Sequence, residues 1–67
     1  MPTAQEIQRL QRRYAMRAEG EHTADLCEYM DSESSLILEA ASQKFRGVDR
    51  LHFRQGFLYR TWENRHA

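Results

Sequence analysis

The run Leu36-Ile37-Leu38-Glu39-Ala40-Ala41 decides the fold class of this chain, set as it is between Asp31-Ser32-Glu33-Ser34 and Gln43-Lys44-Phe45-Arg46-Gly47. Read as helix, it is built from good helix formers and carries a stripe of Ile37, Ala40, Ala41 and Phe45. Read as strand, it is short, bounded by turn residues and followed by a segment that can pair back through a turn near Ala41 and Ser42. The first reading gives an all-α chain of three to four short helices, the second an α+β chain. Local pattern alone leans to helix.

The flanking segments are plainer. Thr3 and Glu6 have the spacing of a capping box, so a helix starts there. Ile7, Leu10, Tyr14 and Ala18 recur every three or four residues and predict an inward apolar stripe, with Gly20 as the stop. Thr23 is placed to cap a short second helix over 24–30, with Leu26, Tyr29 and Met30 as its buried edge. Asp31-Ser32-Glu33-Ser34 breaks it, because such side chains compete for backbone hydrogen bonds. After Gly47, Asp49 can cap a last helix to about Asn64. On that helix Leu51, Leu58 and Trp62 form one face and Phe53 with Phe57 another, which is more apolar surface than one contact requires. The alternation of Leu51, Phe53, Phe57, Tyr59 and Thr61 about Gln55-Gly56 leaves a terminal β-hairpin open.

A chain of 67 residues forms one domain at most, residues 1–67, and buries a modest share of its surface. Cys27 is the only cysteine, which excludes an internal disulfide and fits a small buried hydrophobe. His22, His52 and His66 lack the spacing of a metal pair, so neither a metal nor a cofactor is expected. Ten basic residues balance ten acidic ones, which argues against a nucleic-acid or membrane partner, although Arg46, Arg50, Arg54, Arg60 and Arg65 cluster in the last third. No apolar run approaches the roughly 18 residues of a membrane span, and the first residues do not read as a signal peptide, so the expected location is the cytoplasm.

Read end to end, the chain resembles the N-terminal half of the nuclear transport factor two superfamily, whose SnoaL-like domains include ketosteroid isomerase. The residues that carry the likeness are Ile7, Leu10, Arg13, Tyr14 and Ala15, then Gly20 and Glu21, Asp31, Leu36 to Glu39, Lys44-Phe45-Arg46-Gly47, and Val48-Asp49-Arg50-Leu51. The resemblance implies an α+β, truncated cone-like half-domain of order α-α-β-β-α, with residues 35–47 as two strands. Arg54 departs from the aromatic or aliphatic residue usual there, and the long strands of the family's cone are missing, so a ligand cavity would have one wall.

The resemblance also supplies candidate chemistry. Tyr14 matches a helix-1 tyrosine that donates to an oxyanion in ketosteroid isomerase, a role that needs a buried phenol. Glu39 lies near that enzyme's general base, with a one-residue slip, and Glu19 is a weaker catalytic candidate, five residues after Tyr14, where related dehydratases tend to carry an aspartate. Each has an ordinary reading as well: a tyrosine on an inward stripe is a core residue, and glutamates are usually solvated. Met30, Ile37, Leu51, Phe53, Phe57 and Trp62 are expected to form a pocket or an interface. The leading expectation is a non-catalytic half-domain completed by self-association or by a second chain, with one wall for a small apolar ligand. The alternatives are an isomerase, dehydratase or cyclase using Tyr14 and Glu39, and an all-helical regulatory interaction module working through Phe53, Phe57, Tyr59 and Trp62.

Overall fold

The computed structural model describes the backbone of residues 1–30 and 33–66, with side chains for all of these except 28–30. Three helices follow in order: α1 (Ala4–Met30), α2 (Ser34–Ser42) and α3 (Val48–His66). None of the described residues is in a strand. The α+β half-domain and the SnoaL-like resemblance are therefore overturned, and the all-α alternative matches.

The pattern of burial in α2 shows why. A strand would put Leu36 and Leu38 on one face, yet Leu36 is 67% exposed and Leu38 only 5%. The residues turned inward are Ile37, Leu38, Ala41, Ser42 and Phe45, which is helical spacing. The helix starts after Glu33, whose extended backbone serves as N-cap without a side-chain bond. Beyond Ser42 the chain turns through the bonds Lys44 N–H to Ala41 O (3.3 Å) and Phe45 N–H to Ser42 O (3.1 Å). Arg50 then reaches back from α3 and donates Nε–H to the carbonyls of Ser42 (3.1 Å) and Phe45 (2.9 Å). A cation placed there satisfies the helix end and suits its partial negative charge. Gly47, at φ 60°, supplies the left-handed residue before α3, and Leu51 N–H bonds its carbonyl at 3.3 Å. The return strand expected over 44–47 is this turn. The terminal hairpin is likewise absent, because Gln55 and Gly56 lie inside α3.

At the start of α1 the capping box forms as the spacing predicts: Glu6 N–H bonds Thr3 Oγ1 at 3.2 Å, and Thr3 N–H bonds Glu6 Oε2 at 3.3 Å. The expected stop at Gly20 is not there. α1 continues for 27 residues, and Thr23, instead of capping a second helix, donates its hydroxyl to Glu19 O at 2.9 Å. A mid-helix glycine costs about 1 kcal/mol relative to alanine, so something must offset it. That something is α3. A Cβ on Gly20 would meet Phe57 N at 2.7 Å and Phe53 C at 3.1 Å, and a Cβ on Gly56 would meet Arg17 C and Cα at 2.8 Å. The two backbones touch through paired glycines, each facing the other helix's main chain.

That contact sets the inward face of α1 as Gly20, Ala24 and Cys27. The predicted stripe lies about a third of a turn away, so Ile7, Leu10 and Tyr14 are exposed. Leu26 is exposed too, while the side chains of Tyr29 and Met30 and the residues Asp31 and Ser32 fall outside the described residues. Ala24, Cys27, Leu38, Phe53 and Phe57 form the core, with Ile37, Ala41 and Phe45 packed against it. Phe45 and Phe53 meet ring to ring at 4.9 Å.

Contacts 12 to 49, 17 to 56 and 25 to 60 show that α1 and α3 run parallel, with α2 as the return. The result is a plate of 44 × 27 × 13 Å, the long edge matching α1 at about 1.5 Å per residue. Its radius of gyration is 13.0 Å, against about 11 Å for a compact chain of this length.

Candidate interaction surface

The two apolar faces read from the α3 sequence separate across the helix. Phe53 and Phe57 are buried in the core, and Gly56 beside them meets the Arg17 main chain. Leu51, Leu58 and Trp62, spaced by seven and four, lie roughly opposite, flanked by Val48 and Tyr59. These five side chains are between 51% and 67% exposed. Trp62 is held by stacking on His66 at 4.3 Å, and His66 Nδ1–H donates to the Trp62 carbonyl at 2.7 Å.

Three ion pairs tie the helices and orient this face. Arg12 grips Asp49 with two nitrogens, Nε at 2.9 and 3.0 Å and Nη2 at 2.7 Å. Asp25 accepts from Arg60 Nε at 2.9 Å and Asn64 Nδ2 at 3.1 Å. The hydrogen bonds from Arg12 and from Arg60 hold the carboxyls of Asp49 and Asp25 below their usual range, and raise both guanidinium values in turn. Arg54 closes the third pair on Glu39 at 2.6 Å. Because these pairs are largely exposed, they set register more than they stabilise.

The sequence-predicted catalytic residues do not converge. Tyr14 is 63% exposed and makes no polar contact among the described residues, Glu39 is engaged by Arg54, and Glu19 is a solvated residue of α1. Of the expected pocket or interface residues, Ile37 packs on the core, Phe53 and Phe57 are inside it, and Leu51 and Trp62 are on the outer face of α3. The Met30 side chain lies outside the described residues. The residues that sequence reasoning missed are Gly20 and Gly56. The signal for the first was present: Gly20, Ala24 and Cys27 make a stripe of small residues at helical spacing, which reads as close backbone approach.

Between the N-terminal halves of α1 and α3, an open groove of about 330 Å³ is lined by Leu10 and Val48 together with Arg9, Arg12, Arg13, Asp49 and His52. No cluster of His, Cys, Asp or Glu among the described residues is arranged to hold a metal ion. No helix among them is long and apolar enough to cross a membrane.

The exposure of Tyr14 has a direct consequence. Tyr14→Ala is expected to change stability by no more than about 0.5 kcal/mol, as for a surface site, where an inward tyrosine would cost several times more. Thermal melts of the two proteins side by side decide this, and a loss of several kcal/mol would return Tyr14 to a buried position.

Comparison with protein families, with curated proteins and with solved structures finds no match to the chain.

Proposed function

We propose that the chain is an all-helical protein-interaction module that works by binding through the outer face of α3, and that its first partner is a second copy of itself. The observation that carries this is the doubly apolar α3. One face fills the core, while Leu51, Leu58, Tyr59 and Trp62 stand in solvent on the other. Tyrosine and tryptophan are the side chains on which binding energy concentrates, since they bury much area for little lost freedom.

Area supports the same reading. A compact chain of this mass exposes about 4,500 Å², whereas this one exposes 5391 Å². The excess, roughly 900 Å², is close to the ~800 Å² that each partner buries in a standard interface. Formal net charge is zero, so like-charge repulsion between copies does not oppose association.

Sedimentation at tens of micromolar is expected to give a species heavier than the 8.0 kDa chain. Leu58→Glu, which places a charge in the middle of the outer face and touches no core residue, is expected to return it to monomer with helix content kept. A wild-type protein that stays monomeric across this range would end the proposal.

A further inference from the structure

We infer that the two copies pair antiparallel along the outer faces of α3, about an axis between Gln55 and Leu58; the inference rests on the self-association proposed above and adds its orientation. Charge carries the argument first. Zero net charge conceals a strong segregation: residues 1–18 hold Arg9, Arg12, Arg13 and Arg17 against Glu6 alone. Residues 19–43 hold seven carboxylates, the last being Glu39, and no lysine or arginine. Lys44 and Arg46 follow in the turn that leads into α3, and Arg50 lies in the first turn of that helix.

The fold converts this pattern into polarity. Because α1 and α3 are parallel and locked by Arg12–Asp49 at one end and Asp25–Arg60 at the other, the arginine-rich half of α1 and the α2–α3 turn share one end of a plate 44 Å long. Glu19, Glu21 and Asp25 lie toward the opposite end, where Arg60 and Arg65 offset them only in part. Among the described residues, Arg9, Arg13 and Glu19 have no ion-pair partner, while the charge of Glu21 acts on Arg60. Side by side and antiparallel, two such plates set the basic end of each against the acidic end of the other. Side by side and parallel, like charge faces like.

The outer face of α3 accommodates the antiparallel pair. In a two-fold pair, residue i meets j and j meets i. With the axis between Gln55 and Leu58, Leu51 packs on the partner's Trp62 and Gln55 is covered by the partner's Leu58. His52 on one flank comes beside the partner's Glu63, and Arg54, already neutralised by Glu39, beside the partner's Thr61.

Cross-linking separates the two. His52→Cys and Glu63→Cys leave every core residue and every apolar residue of the face in place, and native Cys27 is buried. Treated with a short bismaleimide, an equimolar mixture of the two variants is expected to yield a 52-to-63 linked dimer several-fold above either variant alone, with wild type as the background. Self-linking of each variant as strong as the mixed product would overturn the antiparallel orientation. A dimer by sedimentation with none of these links would overturn this face as the seam while leaving self-association standing, whereas a monomeric wild type removes both.

Discussion

Gly56→Val is expected to leave the chain largely unfolded at room temperature. Any Cβ at Gly56 meets the Arg17 main chain, with Arg17 C and Cα at 2.8 Å, and main chain cannot swing aside as a side-chain tip can. Overpacking costs 1–3 kcal/mol where neighbours can adjust; here α1 and α3 must move apart, which also unpacks Phe53 and Phe57. A chain of this size has a total stability of only about 3–10 kcal/mol. The milder Gly56→Ala and Gly20→Ala make the sign decisive. Helix propensity alone would make each more stable by about 1 kcal/mol, whereas the helix crossing requires each to be less stable. A net loss of 2 kcal/mol would lower the melting temperature by roughly 8–16 °C. Since both alanines force the same separation, the double variant should lose less than the sum of the singles. A Gly56→Ala protein that melts at or above wild type would mean that the two backbones do not touch.

Phe57→Ala is the second large effect. Phe57 is 1% exposed and sits beside the Gly20 crossing, so truncation removes a side chain that α1 cannot collapse onto. The expected loss is about 3–5 kcal/mol, most of what the fold has. Urea titration followed by circular dichroism measures it, at one protein concentration throughout, because association would raise the apparent stability. Trp62→Ala is the matched control: a large aromatic five residues away on the same helix, whose removal should leave folding nearly untouched at concentrations where the chain is monomeric. Equal losses in the two variants would mean that the inward and outward faces of α3 have been exchanged.

Much of the local structure was legible in the residues. Thr3 and Glu6 mark the start of α1, Gly47 marks the turn before α3, and the two apolar faces of α3 can be drawn on a helical wheel before any fold is known. These are interactions between near neighbours, whose geometry is set within a turn or two. The helical leaning of Leu36 to Ala41 belongs with them; the strands came from family likeness, and the side-by-side burial of Leu38 and exposure of Leu36 rejects them. Tyr14 and Glu39 as a catalytic pair also came from that likeness; the fold leaves one in solvent and the other on Arg54.

What the sequence by itself determined is therefore where α1 begins and, once the last segment is read as helix and not as the hairpin it left open, that α3 has more apolar surface than one contact uses. Which face of α1 turns inward was decided only in three dimensions. By periodicity the best stripe was Ile7, Leu10 and Tyr14, but the free energy of packing follows how closely two helices can approach, and the missing Cβ atoms of Gly20 and Gly56 let them meet backbone to backbone. Residues 36 positions apart in the chain set that contact, and no local window contains both. The same long-range pairing lines up the charges of α1 and α3 along one plate, so that a chain with no net charge acquires a basic end and an acidic one.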